Sequence, residues 1–109
     1  GDIEAVINEQ ELVLESVVFD WQGQLIARVH VDIEGLKEQL GDRGDEPGAI
    51  QHRADELLEE IRRAVNTRVS RQSRLSRMVL QWEPFERTPT KKIKRFLYTH
   101  LPHREEQHS

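Results

Sequence analysis

The sequence has no cysteine, few aromatic residues and no long apolar run, and each of these absences excludes a class of protein. Without cysteine, the 109 residues form neither a disulfide framework nor a thiolate metal site. No stretch approaches the roughly 20 apolar residues of a membrane-spanning helix, and no signal peptide is visible. Glycine-rich phosphate loops and the usual serine or cysteine nucleophile motifs are missing as well. A cysteine-free domain of this kind fits the cytosol.

Hydrophobic residues make up 36% of the chain and charged residues 33%, which predicts one domain with a lean core. We expect the folded domain to span residues 1–101 and a tail over residues 102–109 to be disordered. Because the chain begins with glycine rather than methionine, we also expect it to be excised from a longer polypeptide.

The net charge of −4 hides an uneven distribution of charge along the chain. Residues 1–60 hold 4 basic and 16 acidic side chains, a balance of −12, whereas residues 61–109 hold 12 basic and 4 acidic ones, a balance of +8. The basic part indicates either an anionic ligand or mutual neutralisation with the acidic part.

The hydrophobic pattern predicts a small α+β domain. Period-two alternation indicates a hairpin that is buried on one side, and a longer stretch at helical spacing indicates one main helix. Asp32 is placed to cap a helix that Gly41 ends. The predicted helices span residues 3–9, 33–40 and 52–69, and the predicted strands span residues 12–19, 25–31 and 77–82. This order favours an antiparallel sheet of two to three strands that is covered by helices.

The segment TPTKKIKR, residues 88–95, is the most informative part of the chain. It resembles the last core motif of the adenylate-forming superfamily, which reads Pro-Thr-Gly-Lys-hydrophobic-x-Arg. Lys92 falls on the lysine of that motif, and Lys91 takes the place of its glycine. The other matching residues are Pro89, Thr90, Ile93 and Arg95. The loop therefore loses a permissive backbone position and gains a charge beside Lys92.

The resemblance covers residues 3–98, and the element order is similar to the C-terminal domain of acyl-CoA synthetases. The ending of the motif resembles bacterial long-chain fatty-acid–CoA ligases. This resemblance implies a mobile domain that works with a large N-terminal adenylation domain of the same polypeptide. The full enzyme would convert ATP, fatty acid and CoA into acyl-CoA, AMP and pyrophosphate, with Mg²⁺ bound alongside ATP, and the isolated chain would be inactive. We expect a cytoplasmic enzyme, and peripheral contact with a membrane is left open.

The same resemblance implies the roles of individual residues. Lys92 is the expected catalytic residue, because a placed ammonium stabilises the charge that develops at the α-phosphate. Residues expected to shape or support the loop are Pro89, Thr90, Lys91, Lys94 and Arg95. Candidate contacts to CoA or to the large domain are Arg68, Arg71, Arg74 and Arg77. The histidines lack metal-ligand spacing, so no metal site of the chain itself is expected.

Three alternatives stay open. The chain could belong to another adenylate-forming enzyme, such as an aryl- or short-chain CoA ligase or a peptide-synthetase adenylation domain. It could instead be a free-standing interaction domain without catalysis. The basic half allows a nucleic-acid-binding module, but we do not expect one, because the aromatic residues are 6% of the chain and are not interleaved with the basic ones.

Overall fold

A computed structural model describes residues 2–101, which form helices packed on a three-stranded sheet. The helices and strands are α1 (Asp2–Asn8), β1 (Val13–Trp21), β2 (Gln24–Val31), α2 (Ile33–Leu40), α3 (Ala49–Asn66) and β3 (Arg77–Gln81). Short 3-10 helices lie at Gly41–Asp45, Arg71–Ser73 and Arg95–Leu97. None of the helices in residues 2–101 has the length and apolar character that crossing a membrane requires. The predicted tail, 102–109, lies outside the described residues.

The sheet is mixed, with β2 in its centre. β1 and β2 form an antiparallel hairpin whose two turn residues, Gln22 and Gly23, both have positive φ, as the tight turns between twisted strands require. β3 pairs with the other edge of β2 in parallel, from Ile26↔Arg77 onward. The predicted α+β class is confirmed, but the antiparallel arrangement is wrong for β3. The reason is the connection: α2 and α3 form a crossover between β2 and β3, which lets β3 run in the same direction as β2.

One face of the sheet packs against the helices and forms the main core. Ala27 and Val29 of β2 are fully buried there, facing α3. The α3 side chains in this core recur at helical spacing, and they are Ala54, Leu57, Leu58, Ile61 and Val65. The predicted start of α2 is also observed, since the Asp32 carboxylate accepts a hydrogen bond of 3.0 Å from the Gly35 N–H.

The main helix α3 is shifted by about one turn from its predicted position. It begins immediately after Pro47 and Gly48, and the positive φ of 78° at Gly48 turns the chain into the helix. It ends at Asn66, whose side-chain amide binds the backbone of Leu75 twice, accepting from its N–H at 2.8 Å and donating to its C=O at 3.0 Å. These long-range bonds hold the chain that leads to β3.

The other face of the sheet is covered as well, so the predicted hairpin with one buried side is wrong. Val17, Phe19 and Ile26 form a second cluster with Phe85, and residues 93, 98 and 101 pack against it. The segment after β3 therefore folds back over the sheet. Since the motif lies in this segment, its surroundings are part of the packed structure.

Charge pairing links the acidic and basic parts of the chain. Among the described residues, Arg62 and Arg63 pair with Glu59 within α3, and the ion pairs between residues distant in the chain are Arg68–Glu9, Arg87–Glu15 and Arg95–Glu4. Two of these arginines lie in or beside the motif. Mutual neutralisation within one fold therefore accounts for part of the uneven charge distribution.

Candidate functional site

The motif forms a tight turn, which we call the motif hairpin (residues 86–94). Arg87 and Ile93 make an isolated antiparallel bridge across it. One step nearer the tip, the Thr88 N–H donates to the Lys92 carbonyl at 2.8 Å. Ile93 packs against the second cluster, which fixes the base of the hairpin to the sheet.

The tip of the hairpin consists of the predicted loop-shaping residues. The Lys91 N–H donates to the Thr88 carbonyl at 2.8 Å, which places Pro89 and Thr90 at the two central positions of a β-turn. The hydroxyls of Thr88 and Thr90 lie 3.0 Å apart. Lys91 has a φ of 68°, the left-handed region that a glycine enters without cost. The residue that replaces the motif glycine thus keeps the backbone conformation of a glycine.

Lys92 lies at the end of this turn with its side chain exposed. Its N–H donates to the Thr88 hydroxyl at 3.2 Å, so its backbone is fixed. Within residues 2–101 its ammonium has no hydrogen-bond or ion-pair partner. In extended chain, neighbouring side chains point to opposite sides, and the inward-packed Ile93 is consistent with an outward Lys92. The hairpin thus carries an exposed ammonium group on a backbone that hydrogen bonds fix in place.

Glu15 of β1 holds the segment that enters the hairpin. Its side chain is 17% exposed and accepts a hydrogen bond of 3.0 Å from the Phe85 N–H. It also accepts from the guanidinium of Arg87, which in turn donates to the Lys91 carbonyl at 2.6 Å. The entry to the hairpin is therefore tied to the sheet by charged hydrogen bonds.

Glu4 of α1 holds the segment that leaves the hairpin. Its carboxylate is paired with Arg95 and accepts the Val18 N–H at 2.7 Å. Burial by itself raises the pKa of Glu4, but the hydrogen bonds from Arg95 and Val18 outweigh it and hold that pKa below its usual value. The carboxylate is therefore ionised when it binds Arg95.

Lys94 and Arg95, both predicted to support the loop, are engaged in ion pairs. The Lys94 ammonium lies 3.1 Å from the Glu86 carboxylate across the hairpin. The Glu86 N–H donates to the Tyr98 hydroxyl at 2.7 Å, and the Tyr98 ring meets Phe85 edge-on at 4.7 Å between centroids. Of the basic side chains in the motif, Lys91 and Lys92 are the two whose charged groups have no partner within residues 2–101.

The four candidate arginines lie along the connection between α3 and β3. Arg71 is in a 3-10 helix, Arg74 follows that helix and Arg77 begins β3. All four are exposed, and Arg68 lies 3.5 Å from Glu9. The guanidinium groups of the other three have no partner among residues 2–101, which leaves them able to bind an anion.

Sequence reasoning missed four charged residues around the site: Glu4, Glu15, Arg28 and Arg87. Arg28 of β2 is half-buried and donates to the carbonyls of Tyr98 at 3.3 Å and His100 at 2.7 Å. Burial lowers the pKa of Arg28. A signal was present for two of them, because Glu15 and Arg28 alternate with apolar residues on one face of their strands.

One predicted site residue, Arg95, lines a small open cleft of about 350 Å³ together with Glu4 and Val18. Within residues 2–101, no group of three or more acidic, histidine or cysteine side chains could hold a metal ion. An open groove of about 740 Å³ lies between α2 and the start of α3, and none of the predicted site residues lines it. The charged site residues without a partner within residues 2–101 are all cationic, and they are Lys91, Lys92, Arg71, Arg74 and Arg77.

The solved structures that are similar to this chain in fold include the following two. One is a benzoate CoA ligase from Burkholderia xenovorans, with a TM-score of 0.56 and 25% identity over 88% of this chain. The other is the adenylation domain of a carboxylate reductase from Mycobacterium chelonae, with a TM-score of 0.58 and 18% identity over 87% of this chain. The match covers 17% and 15% of those two chains. No protein-family model and no curated protein matches the sequence.

These likenesses support the adenylate-forming superfamily as the class of protein to which the fold corresponds. The small share of each neighbour that is covered is consistent with a small domain of a larger polypeptide. Long-chain fatty-acid specificity has no support from either structure.

Proposed function

We propose that this chain is the small mobile domain of a carboxylate–CoA ligase and that Lys92 is its adenylation lysine. The observation that carries the proposal is the exposed ammonium of Lys92, without a partner within residues 2–101, at the end of a fixed hairpin and at the lysine position of the motif. The likeness to a benzoate CoA ligase supports it. The domain is proposed to cover residues 1–101.

The first step that we propose joins a carboxylate to ATP. A carboxylate oxygen attacks the α-phosphorus, the bond from that phosphorus to the bridging oxygen breaks, and pyrophosphate leaves with its electron pair. Negative charge accumulates on the phosphoryl oxygens in the transition state, where an ammonium stabilises it without moving a proton. Lys92 suits this role because its charge has no partner within residues 2–101.

The second step that we propose forms the thioester. The thiolate of CoA attacks the acyl carbonyl, AMP leaves, and the thiol proton passes to solvent. The domain rotates between the steps, so that Lys92 leaves the reaction centre and another surface faces CoA. Arg71, Arg74 and Arg77, whose guanidinium groups have no partner among residues 2–101, suit the phosphates of CoA. Since residues 2–101 contain no carboxylate cluster for Mg²⁺, we assign the Mg²⁺ that accompanies ATP to the large domain.

Two carboxylate classes are proposed. The ending of the motif resembles long-chain fatty-acid–CoA ligases, whereas the solved neighbour with 25% identity is a benzoate CoA ligase. The neighbour favours an aromatic carboxylate over a long acyl chain. A panel that contains benzoate, acetate and palmitate separates the classes, because the large domain holds the acyl or aryl group.

The test is carboxylate-dependent exchange of pyrophosphate into ATP by the polypeptide that carries this domain and its large domain. Lys92→Ala is expected to slow exchange by about 10²–10³, the usual effect of removing one charge-stabilising donor. Lys37→Ala, which removes an exposed lysine of α2, is the matched control and should exchange like the wild type. Wild-type exchange by Lys92→Ala would remove Lys92 from the step. A wild-type protein that exchanges with none of the carboxylates would contradict the ligase proposal.

A further inference from the structure

The peptide group that precedes Lys92 is fixed by a chain of hydrogen bonds that begins on β1. Glu15 accepts from Arg87, and the Nη1 group of Arg87 donates to the Lys91 carbonyl at 2.6 Å. The Lys91 carbonyl and the Lys92 nitrogen belong to the same peptide group. Arg87 is therefore one of the contacts, with Thr88, that hold the peptide group from which the Lys92 side chain projects.

Glu15 is a rigid starting point for this chain of contacts. It lies in β1 opposite His30 of β2, and its side chain is 17% exposed. It also accepts the Phe85 N–H at 3.0 Å, just before the hairpin. The hairpin itself is short: its contacts across the turn are the Arg87↔Ile93 bridge, a few backbone hydrogen bonds and the exposed Lys94–Glu86 ion pair. Arg87 connects this hairpin to Glu15, and the contact with the sheet adds to the rigidity of the hairpin.

An arginine is suited to the position between the Glu15 carboxylate and the Lys91 carbonyl. Its planar guanidinium presents several N–H groups in a fixed fork, so one Arg87 side chain binds the Glu15 carboxylate and the Lys91 carbonyl together. A lysine has a single nitrogen on a flexible stem and does not reproduce the fork. The bridge therefore depends on the shape of the arginine head as well as on its charge.

We propose that Arg87, held by Glu15, is a positioning residue that aims Lys92 at the α-phosphate during adenylation. This inference rests on the proposed function. Its physical basis is that a charge-stabilising group must be held close to its productive place, and a displacement of about 1 Å can cost on the order of 10²-fold in rate. Neither residue touches substrate in this proposal.

The first measurement compares the two half-reactions in the polypeptide that carries both domains. Arg87→Ala and Glu15→Gln are expected to slow ATP–pyrophosphate exchange by about 10- to 100-fold. Thioester formation from supplied acyl-adenylate should stay at the wild-type rate, because Lys92 has left the reaction centre in that step. Arg53→Ala, which removes the exposed Arg53–Glu60 ion pair of α3, is the matched control and should leave both steps unchanged. Equal losses in both half-reactions would overturn the positioning role.

A double mutant separates positioning from general damage to the fold. If Arg87 acts through Lys92, adding Arg87→Ala to Lys92→Ala slows exchange no further. A further loss as large as that of the single Arg87→Ala variant would overturn the inference. Arg87→Lys keeps the charge but lacks the fork, so it should also slow exchange at an unchanged Tm, and full activity in that variant would overturn the role of the bridge.

The outcomes also separate this inference from the proposed function. A normal rate in Lys92→Ala overturns the adenylation role of Lys92, and with it the positioning role. A slow Lys92→Ala beside a normal Arg87→Ala overturns the positioning role alone.

Discussion

Replacing Lys91 by glycine is expected to stabilise the fold by about 0.5–1 kcal/mol. Lys91 has a φ of 68°, and the left-handed conformation costs a residue with a side chain about 1–2 kcal/mol. Glycine adopts it freely but loses about 0.5–1 kcal/mol more conformational freedom on folding. The difference between these two terms favours the glycine variant.

This local strain should contribute to the free energy of unfolding of the whole domain, because the hairpin is docked on the core. Lys91 is bound at both its N–H and its carbonyl, and Ile93, two residues on, packs in the second cluster. For a domain of this size, about 0.5–1 kcal/mol corresponds to a rise in Tm of about 2–8 °C. Thermal and urea denaturation of the chain, followed by circular dichroism, measures the change.

Lys91→Ala is the matched control for this prediction. It removes the same ammonium but keeps a β-carbon in the left-handed region, so its stability should stay within about 0.5 kcal/mol of the wild type. A Lys91→Gly variant that unfolds at or below the temperature of Lys91→Ala would refute the reasoning, since the positive φ would then carry no cost.

Two further predictions test how the motif segment is attached. Phe85→Ala should lower the free energy of unfolding by about 3–5 kcal/mol, because the ring is 3% exposed in the second cluster. Phe96→Ser, at a residue that is 71% exposed, should change it by less than about 0.5 kcal/mol. Equal urea midpoints for the two variants would contradict the packing of the motif segment on the sheet. Glu4→Gln should lower stability at pH 7, and the difference from wild type should shrink in acid. Burial opposes ionisation of Glu4, but the contacts with Arg95 and the Val18 N–H together more than offset it and lower the pKa. The contribution of Glu4 to stability is therefore complete above the unfolded value of 4.5 and is lost as pH falls through the folded pKa. A gap in Tm that stays constant from pH 7 to pH 3 would argue against this account.

The elements that follow local rules were predictable from the sequence. The alternation through Ala27 and Val29 and the helical spacing of α3 give the main core, and Asp32 caps α2 as predicted. Features that depend on distant contacts were not. The direction of β3 follows from the crossover through two helices, and the end of α3 follows from the bonds between Asn66 and Leu75. Neither the direction of β3 nor the end of α3 can be recognised from the local spacing of apolar residues.

The candidate site also combines residues that were predictable from the sequence with residues that were not. Lys92 is selected by the motif, and its catalytic role stays a prediction. The residues that hold the motif are far away in the chain: Glu15 lies 72 positions before Arg87, and Glu4 lies 91 positions before Arg95. A charged residue on a strand face with Val17 and Phe19 was the available clue to Glu15, because such a carboxylate needs a partner. The sequence alone did not indicate which of the arginines it would bind.

The segment that carries Lys92 has one strained backbone position and is held by two largely buried carboxylates. Both features are consistent with a backbone that is held in place for the Lys92 side chain. The ammonium itself contributes little to the fold, since it is exposed and without a partner in residues 2–101. The backbone before it nevertheless has Lys91 in a left-handed conformation, and the two carboxylates that hold the motif segment, Glu4 and Glu15, lie largely out of water. A loop after β3 without a functional role could avoid both the strained backbone position and the buried carboxylates. Backbone strain and buried charges are often found at functional sites, so these two features are consistent with the proposed role of Lys92 in the chemical step.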